Sequence, residues 1–373
     1  MNLLFNLLKA KWVFTKPQNK EVLIYDNMSK TGAKFLFNKN DCEILYVRYE
    51  QINLNVLFKT IISNGLKNIK DNYKVNYMKS VSPKIVFSTF TYNPAFFRLK
   101  NLYPNPTYIC LSISSCDERF FGLCENYYKN NSTSKLKSDY LFVVGDYYKE
   151  KMSRYIEAKI INIGSIKNNF YILDKKQLAK KSDVVLFISQ VYALKEKKIS
   201  PSYRAKIENE KKILLTLEKY CTQKKLKLKV ATRNKQDGIN FYKKNFGEGN
   251  WTIYPRLDES TSYNLVNESF FIIFTNSFLG LEALSKGKRC VAFPPEEFPI
   301  QRFGKTFSDQ GPFWSSMFNE EILKNYIEKI LSYDEDSWKK IVDQNVGDLI
   351  KYNSGNSILK KTLHDLKIKN ILN

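Results

Sequence analysis

A repeated unit restricts the fold more than any other feature of the sequence. It is a short apolar run, a polar break, and then a segment with apolar residues three and four apart. In "FFIIFTNSFLGLEALSKGKRCVAF", Phe270–Phe274 is such a run and Thr275-Asn276-Ser277 is the break. A helical pattern follows over Leu279–Lys286, and Arg289–Phe293 is a second run. Runs that stay apolar without alternating suit strands buried on both faces, and a helix between consecutive runs makes those strands parallel.

The pattern recurs along the whole chain. In the first half it predicts strands at Glu21–Tyr25, Cys42–Val47, Lys84–Ser88, Tyr108–Ser112, Tyr140–Val144 and Ile160–Ile163, with helices at Asn53–Ser63 and Asp71–Val81. In the second half the strands are Val184–Ser189, Leu226–Thr232 and Trp251–Tyr254, ahead of the two runs already named. Tyr203–Gln223 and Ser260–Asn267 read as helices, as do Glu320–Ser332, Asp336–Asn345 and Ile358–Leu366. Residues 170–182 are Lys-rich and weakly patterned, which marks a boundary. The expected class is α/β, with two Rossmann-like domains facing a cleft. The expected limits are 1–165 for the first domain, 166–182 for a linker, 183–345 for the second domain, and 346–373 for a helical tail that crosses back. A chain of 373 residues, 43% hydrophobic, is long enough for two cores.

Composition removes several chemistries. The chain has one histidine, His364, so a Ser-His-Asp triad and an H-E-x-x-H metal site are excluded. A general base must then be Asp or Glu. Six cysteines include no C-x-x-C pair, so zinc is not expected and the thiols are expected to be reduced. No cofactor and no metal are expected. The net charge is +23, but the lysines are spread along the chain and no nucleic-acid-binding signature accompanies them. Most of that charge reads as solvated helix surface. The remainder fits an anionic membrane surface or a nucleotide donor. No apolar run is long enough to span a bilayer, and the start MNLLFNLLKAKW lacks a cleavage site. A cytoplasmic protein is expected, attached loosely at the inner membrane.

In an open parallel sheet, ligands bind beyond the C-terminal strand ends. Asn276 and Ser277 stand at such an end, and the helix after them offers free N–H groups from Ser277, Phe278 and Leu279 to a phosphate. Glu282, one turn on, could accept both hydroxyls of a ribose. A plain helix cap at Ser277 and a dipole-offsetting Glu282 fit the same pattern equally well. Arg233 ends another strand and could pair with a phosphate. Ser189, Gln190 and Tyr254 end two more. In the first half, Asp26, Glu50 and Asp117 are carboxylates near strand ends, any one of which could act as a general base. Thr91 and Asn93 follow the strand at Lys84–Ser88, and Trp314 follows a Gly-Pro turn; these are the acceptor or cleft candidates. A core role for Trp314 fits as well.

The stretches "IYD", "VRYEQINL", "SPKIVFSTFTYNPAFFRL", "DYLFVVG", "NIGSIKNN", "NSFLGLEALSKGKRCVAF", "DQGPFW" and "LIKYNSGNS" run in order through most of the chain. Together they resemble the bacterial surface carbohydrate biosynthesis protein family, of GT-B glycosyltransferase type. The resemblance implies a metal-independent transferase that moves a sugar from a nucleotide-activated donor, such as a CMP-activated acidic sugar, to a glycan or lipid-linked acceptor. One departure is "LSISSCDER", where the family pattern has a Gln-Asn-Gly turn; that loop is expected to be rebuilt. Competing readings are a sugar-nucleotide epimerase of similar fold, against which the single His364 counts, and a catalytically silent glycan-assembly or nucleic-acid-binding protein.

Overall fold

The computed structural model describes residues 10–48, 50–89, 94–114, 118–131, 135–171, 182–194, 199–295 and 307–368. The chain forms two compact units. One comprises Met1–Ile166 together with Asn356–Asn373, and the other Lys167–Gly355. Each is built on a parallel sheet with flanking helices, the expected fold class.

The first unit contains β1 (Lys11–Val13), β2 (Val22–Tyr25), β3 (Cys42–Leu45), β4 (Gln51–Asn53), β5 (Ile85–Ser88), β6 (Thr107–Leu111), β7 (Leu136–Val143) and β8 (Ile156–Asn162). Its helices are α1 (Leu54–Asn64), α2 (Ile69–Val81), α3 (Ala95–Leu102), α4 (Glu118–Asn130) and α5 (Asp146–Ser153). Six strands make an all-parallel sheet in the order β3-β2-β5-β6-β7-β8, and β1 pairs with β4 separately. Side chains alternate across the sheet. Val22, Ile24, Phe87, Ile109, Leu111 and Phe142 meet Leu359 and Leu363 of the helix Ser357–Asp365 on one face. Tyr25 and Tyr108 meet Phe96 of α3 on the other. With both faces covered, the central strands β2, β5 and β6 are mostly apolar, with Ser88 and Thr107 only at strand ends, which is why the runs were legible.

β7 starts four residues before the expected Tyr140, because polar side chains there find partners inside the unit. The buried Ser138 Oγ donates to the carbonyls of Tyr108 (3.0 Å) and Tyr140 (3.1 Å). Asp139 accepts from the Tyr108 amide and from Lys100 Nζ, each at 2.7 Å. Helix α4 was not expected, since polar residues crowd its sequence; its apolar stripe buries Phe120, Phe121 and Cys124.

The second unit contains β9 (Val184–Ile188), α6 (Pro201–Gln223), β10 (Lys227–Ala231), α7 (Ile239–Phe246), β11 (Trp251–Tyr254), α8 (Glu259–Glu268), β12 (Phe271–Phe274), α9 (Phe278–Ser285), β13 (Arg289–Ala292), α10 (Glu320–Ser332) and α11 (Glu335–Val346). The sheet order is β11-β10-β9-β12-β13, all parallel. Every residue of β9 and β12 is buried.

The polar punctuation around α9 closes helix ends. Gly287, at φ 81°, ends α9 in a Schellman turn: its N–H donates to Leu284 O and that of Lys288 to Ala283 O. Lys288 Nζ then donates to the carbonyls of Asn267 (2.6 Å) and Ser269 (2.9 Å) at the end of α8. Arg289 donates to those of Ile330 and Tyr333 at the end of α10 and lies 5.2 Å over the Trp338 ring. Cations placed there satisfy orphan carbonyls and the negative end of the helix dipole.

Gly280 seats α9 on β12. An alanine Cβ there would stand 2.4 Å from the Phe274 ring. Gly280→Ala is therefore expected to destabilise the second unit by about 1–3 kcal/mol, as overpacking does. Urea unfolding of that variant, with Gly280→Ala/Phe274→Leu beside it, checks this: the second change should recover part of the loss. An unchanged midpoint for Gly280→Ala would mean that the ring can turn aside.

Candidate functional site

The strand order of the second unit reverses between β9 and β12. β9 leads to β10 and β11 on one side, and β12 and β13 lie on the other. Loops leaving such neighbours part in opposite directions, and the crevice left at their carboxyl ends is where an open α/β sheet takes its ligand. Ser189 and Gln190 follow β9, and Thr275-Asn276-Ser277 follow β12, so the topology brings these two expected groups together.

All three residues of the Thr275–Ser277 triplet are buried. Thr275 Oγ1 and Asn276 Oδ1 have no hydrogen-bond partner. Ser277 is the N-cap of α9 but its side chain makes no cap hydrogen bond. The capping reading of Ser277 therefore does not describe this helix. Buried, unpartnered oxygens cost roughly 1–3 kcal/mol each, and among the described residues these two lie next to each other at a strand end.

Across the switch point the chain is tied down by a group that was not anticipated. Glu210 of α6 is fully buried and accepts from Ser189 Oγ at 2.5 Å and from the Gln190 N–H at 2.9 and 3.2 Å. Burial pushes its carboxyl pKa up, and the bonds from Ser189 and Gln190 and the charge of Lys206 pull the other way. Lys206 Nζ donates to Gln190 O at 2.9 Å. A signal existed in the sequence: Glu210 falls on the stripe Ile207, Ile213, Leu214, Leu217, a charge on the buried face of a helix.

The neighbouring strand ends are knitted to the same loop. Asn234, after β10, accepts from the Ala193 N–H at 2.5 Å, and its carbonyl accepts from the Arg256 N–H at 2.7 Å. The Thr232 N–H donates to Tyr254 O, while the Tyr254 ring packs 5.0 Å from Lys229 Nζ. Tyr254 thus meets the strand ends through its backbone. Arg233 is exposed and lies 5.2 Å over the Tyr192 ring, which Tyr203 holds edge-on.

Glu282 is buried in α9, and its Oε2 accepts from the Tyr263 hydroxyl at 2.9 Å. The Tyr263 ring stacks on Tyr171 at 4.7 Å, and Lys286 Nζ stands 5.6 Å over it while donating to Tyr171 O. Burial lowers the Lys286 pKa to about 8, against the pull of Glu282.

In the first unit the sheet order reverses between β2 and β5. Asp26 follows β2 there, buried, at φ 73°, a region costly for a residue with a Cβ. Its carboxylate accepts from Arg48 Nε at 2.7 Å and from the Met28 N–H at 2.9 Å. Glu50 is exposed and accepts from the Arg48 N–H. Trp314 is buried in the second unit between Phe307 and Phe313, with its indole N–H on Ser308 O at 2.8 Å, so here it anchors the fold. Thr91, Asn93 and Asp117 lie outside the described residues. Among the described residues, no group of three His, Cys, Asp or Glu is placed to hold a metal ion.

Two parallel-sheet α/β units, with polar groups gathered at strand ends, make up the fold of GT-B glycosyltransferases and related nucleotide-sugar enzymes. Solved structures of this kind align over nearly the whole chain. A UDP-GlcNAc 2-epimerase from Neisseria meningitidis, bound to UDP-GlcNAc, has a TM-score of 0.53 at 12% identity, over 92% of this chain and 99% of that one. Another UDP-N-acetylglucosamine 2-epimerase scores 0.51 at 12% identity, over 94% and 97%. A glycosyltransferase from Rickettsia africae scores 0.47 at 14% identity, over 94% and 98%. At such identities the likeness concerns the fold alone. The sequence itself belongs to the family described as "putative O-antigen biosynthesis protein", which matches residues 114–367. No curated protein sequence matches the chain.

Two outcomes follow from these contacts. Glu210→Ala strands the Ser189 hydroxyl and the Gln190 N–H in a buried space and should cost about 2–4 kcal/mol. Glu210→Gln keeps an acceptor and should cost about 1 kcal/mol or less in the same denaturant titration. Lys286 gives a pH signature. Its folded pKa lies below its unfolded value, so the unfolded chain binds the extra proton between about pH 8 and 10.5 and stability rises with pH across that window. In Lys286→Met the rise should flatten, as read by thermal melts from pH 7 to 10.5.

Proposed function

We propose that the protein transfers a sugar from a nucleotide-activated donor to a bacterial surface glycan or its lipid-linked precursor. The second unit takes the donor and the first unit the acceptor. The observation that carries this reading is the pair of buried oxygens without partners, Thr275 Oγ1 and Asn276 Oδ1, at the start of α9 beside the switch point. The threonine hydroxyl can turn its hydrogen toward a phosphate oxygen, and Asn276 Oδ1 can accept from a hydroxyl of the donor. The positive end of the α9 dipole adds to the attraction.

In this proposal the phosphate lies against Asn276, Ser277 and the N–H groups of Phe278 and Leu279, with Arg233 reaching it from β10. The leaving phosphate is then stabilised by N–H groups, dipole and guanidinium. Glu282 takes the ribose hydroxyls, and the Tyr263 hydroxyl orients its carboxylate. Ser189 and Gln190, held by Glu210, present the opposite wall of the crevice with the Tyr254 strand end. Asp26 is the acceptor-side base, with Arg48 fixing its direction. A CMP-activated acidic sugar is the donor to test first, because its phosphate and carboxylate are both anionic. Membership of an O-antigen biosynthesis family supports the glycan acceptor.

Calorimetric titration with CMP, CDP, UDP and GDP, followed by turnover with the matching sugar donors, tests the assignment. Glu282→Ala should lower nucleotide affinity about tenfold to a hundredfold, the worth of a charge-assisted hydrogen bond of roughly 1.5–3 kcal/mol. Arg233→Ala should weaken the nucleotide and leave the free nucleoside almost unchanged. Asp26→Asn should abolish most turnover while donor affinity stays. Binding of no nucleotide would remove the donor site, and binding without turnover would make this a silent assembly protein.

A further inference from the structure

Helix α1 of the first unit turns apolar side chains outward. Its buried positions are Val56 and Thr60, with the capping Asn53 buried beside them and Leu54 and Leu57 half-buried. Asn53 Oδ1 caps the helix at the Val56 N–H. Asn76 of α2 donates to Thr60 Oγ1 at 3.0 Å and to Asn64 Oδ1 at 3.2 Å. An apolar stripe of α1 faces water. Phe58 is 59% exposed, Ile61 37% and Ile62 84%, and Leu66 just beyond the helix is 73% exposed. Residues 58, 61 and 62 share one face by helical spacing.

A second segment extends this surface. β1 pairs with β4, which leads into α1. Asn55 Nδ2 donates to Phe14 O and Asn53 Nδ2 to Thr15 O at 2.7 Å, which pins Phe14 beside the start of α1. Phe14 is 72% exposed and Trp12 40%. The charge around these side chains is predominantly positive, with the exposed Glu50, whose carbonyl accepts from the Lys11 N–H, as an acid at its edge. Lys11, Lys16, Lys59, Lys67 and Lys70 are all exposed, and no Asp or Glu occurs from Gln51 to Lys70. The next acid, Asp71, is already paired with Arg98 and Lys74.

We propose that this face of α1, with the Trp12–Phe14 segment, docks on an anionic lipid bilayer. The aromatic and aliphatic side chains enter the acyl boundary, and the lysines lie along the headgroup phosphates. Charge selects this occupant. A second copy meeting the same face would bring two sets of five lysines together with Glu50 of each copy at the edge, far too little acid to pair them, whereas an anionic bilayer neutralises them. Each lysine near such a surface is worth about fivefold in partitioning. The surface is independent of the donor site, so either assignment can fail without the other.

The test is co-sedimentation of the full chain with phosphatidylcholine vesicles, with and without phosphatidylglycerol. Binding should require the anionic lipid. It should weaken as salt rises from about 0.1 M to about 1 M, where the screening length falls from about 10 Å to about 3 Å. Phe58→Ser/Ile62→Ser should lower partitioning about tenfold or more with an unchanged melting temperature, because both side chains are exposed. If that variant folds poorly, Lys59→Glu/Lys67→Glu/Lys70→Glu addresses the same face through charge alone and should abolish anionic binding. Equal binding to neutral vesicles, or variants that bind like the parent chain, would overturn the proposal. So would self-association in sedimentation velocity that Phe58→Ser/Ile62→Ser removes while vesicle binding is absent from the parent.

Discussion

The structure rests on two parallel sheets whose backbone hydrogen bonds are used inside the sheet and whose faces are covered by helices. A strand in that setting has no solvent side, so its body must be apolar. Polar groups are then confined to the strand ends, where the chain turns toward a helix. In the second unit β9 and β12 are buried along their length, and Ser189, Gln190, Thr275, Asn276 and Ser277 begin where they stop. These polar side chains stand where they do because the buried bodies of those strands leave them no other place.

Polar groups that are buried there fall into two kinds. Ser189, Gln190 and Glu210 satisfy one another, and Lys288 and Arg289 satisfy helix carbonyls. Those contacts fix the positions of loops and helix ends. Thr275 and Asn276 keep oxygens that the fold leaves unmatched. The contrast within a single unit is between groups that the fold satisfies and groups that it leaves without a partner among the described residues. The α1 face shows the converse, with apolar side chains left in water around a helix whose buried Thr60 is satisfied inward.

The order of the longer strands in both halves, and the polar strand ends, were legible from residue pattern, because burial on two faces leaves a continuous apolar run of characteristic length, whereas the helices Ala95–Leu102, Glu118–Asn130, Asp146–Ser153 and Ile239–Phe246 were not. Trp251–Tyr254 was predicted residue for residue, and most other strands within one or two. The early start of β7 was hidden, since Ser138 and Asp139 read as a turn until Tyr108 and Lys100 supply their partners. The three-residue strands β1 and β4 were also hidden, being too short for any period to show. Among site residues, Asn276, Ser277 and Arg233 were visible at strand ends, but Glu210 was not singled out. It lies 20 residues or more from the loop it holds, and only the packing of α6 brings it there.

By itself the sequence determined that the chain makes two parallel α/β sheets and that polar residues stand at their carboxyl ends, because hydrophobic period and polar breaks are local properties. Tertiary structure alone decided which strand ends are neighbours. The reversal of order between β9 and β12 sets Gln190 across from Asn276, although 85 residues of chain separate them. It also decided which polar groups are spent on the fold, pairing Glu282 with Tyr263 and Glu210 with Ser189 while leaving Thr275 and Asn276 unmatched. The physical reason is range. Side-chain spacing is set within a few residues, whereas hydrogen-bond satisfaction depends on partners that only the packed chain brings within 3 Å.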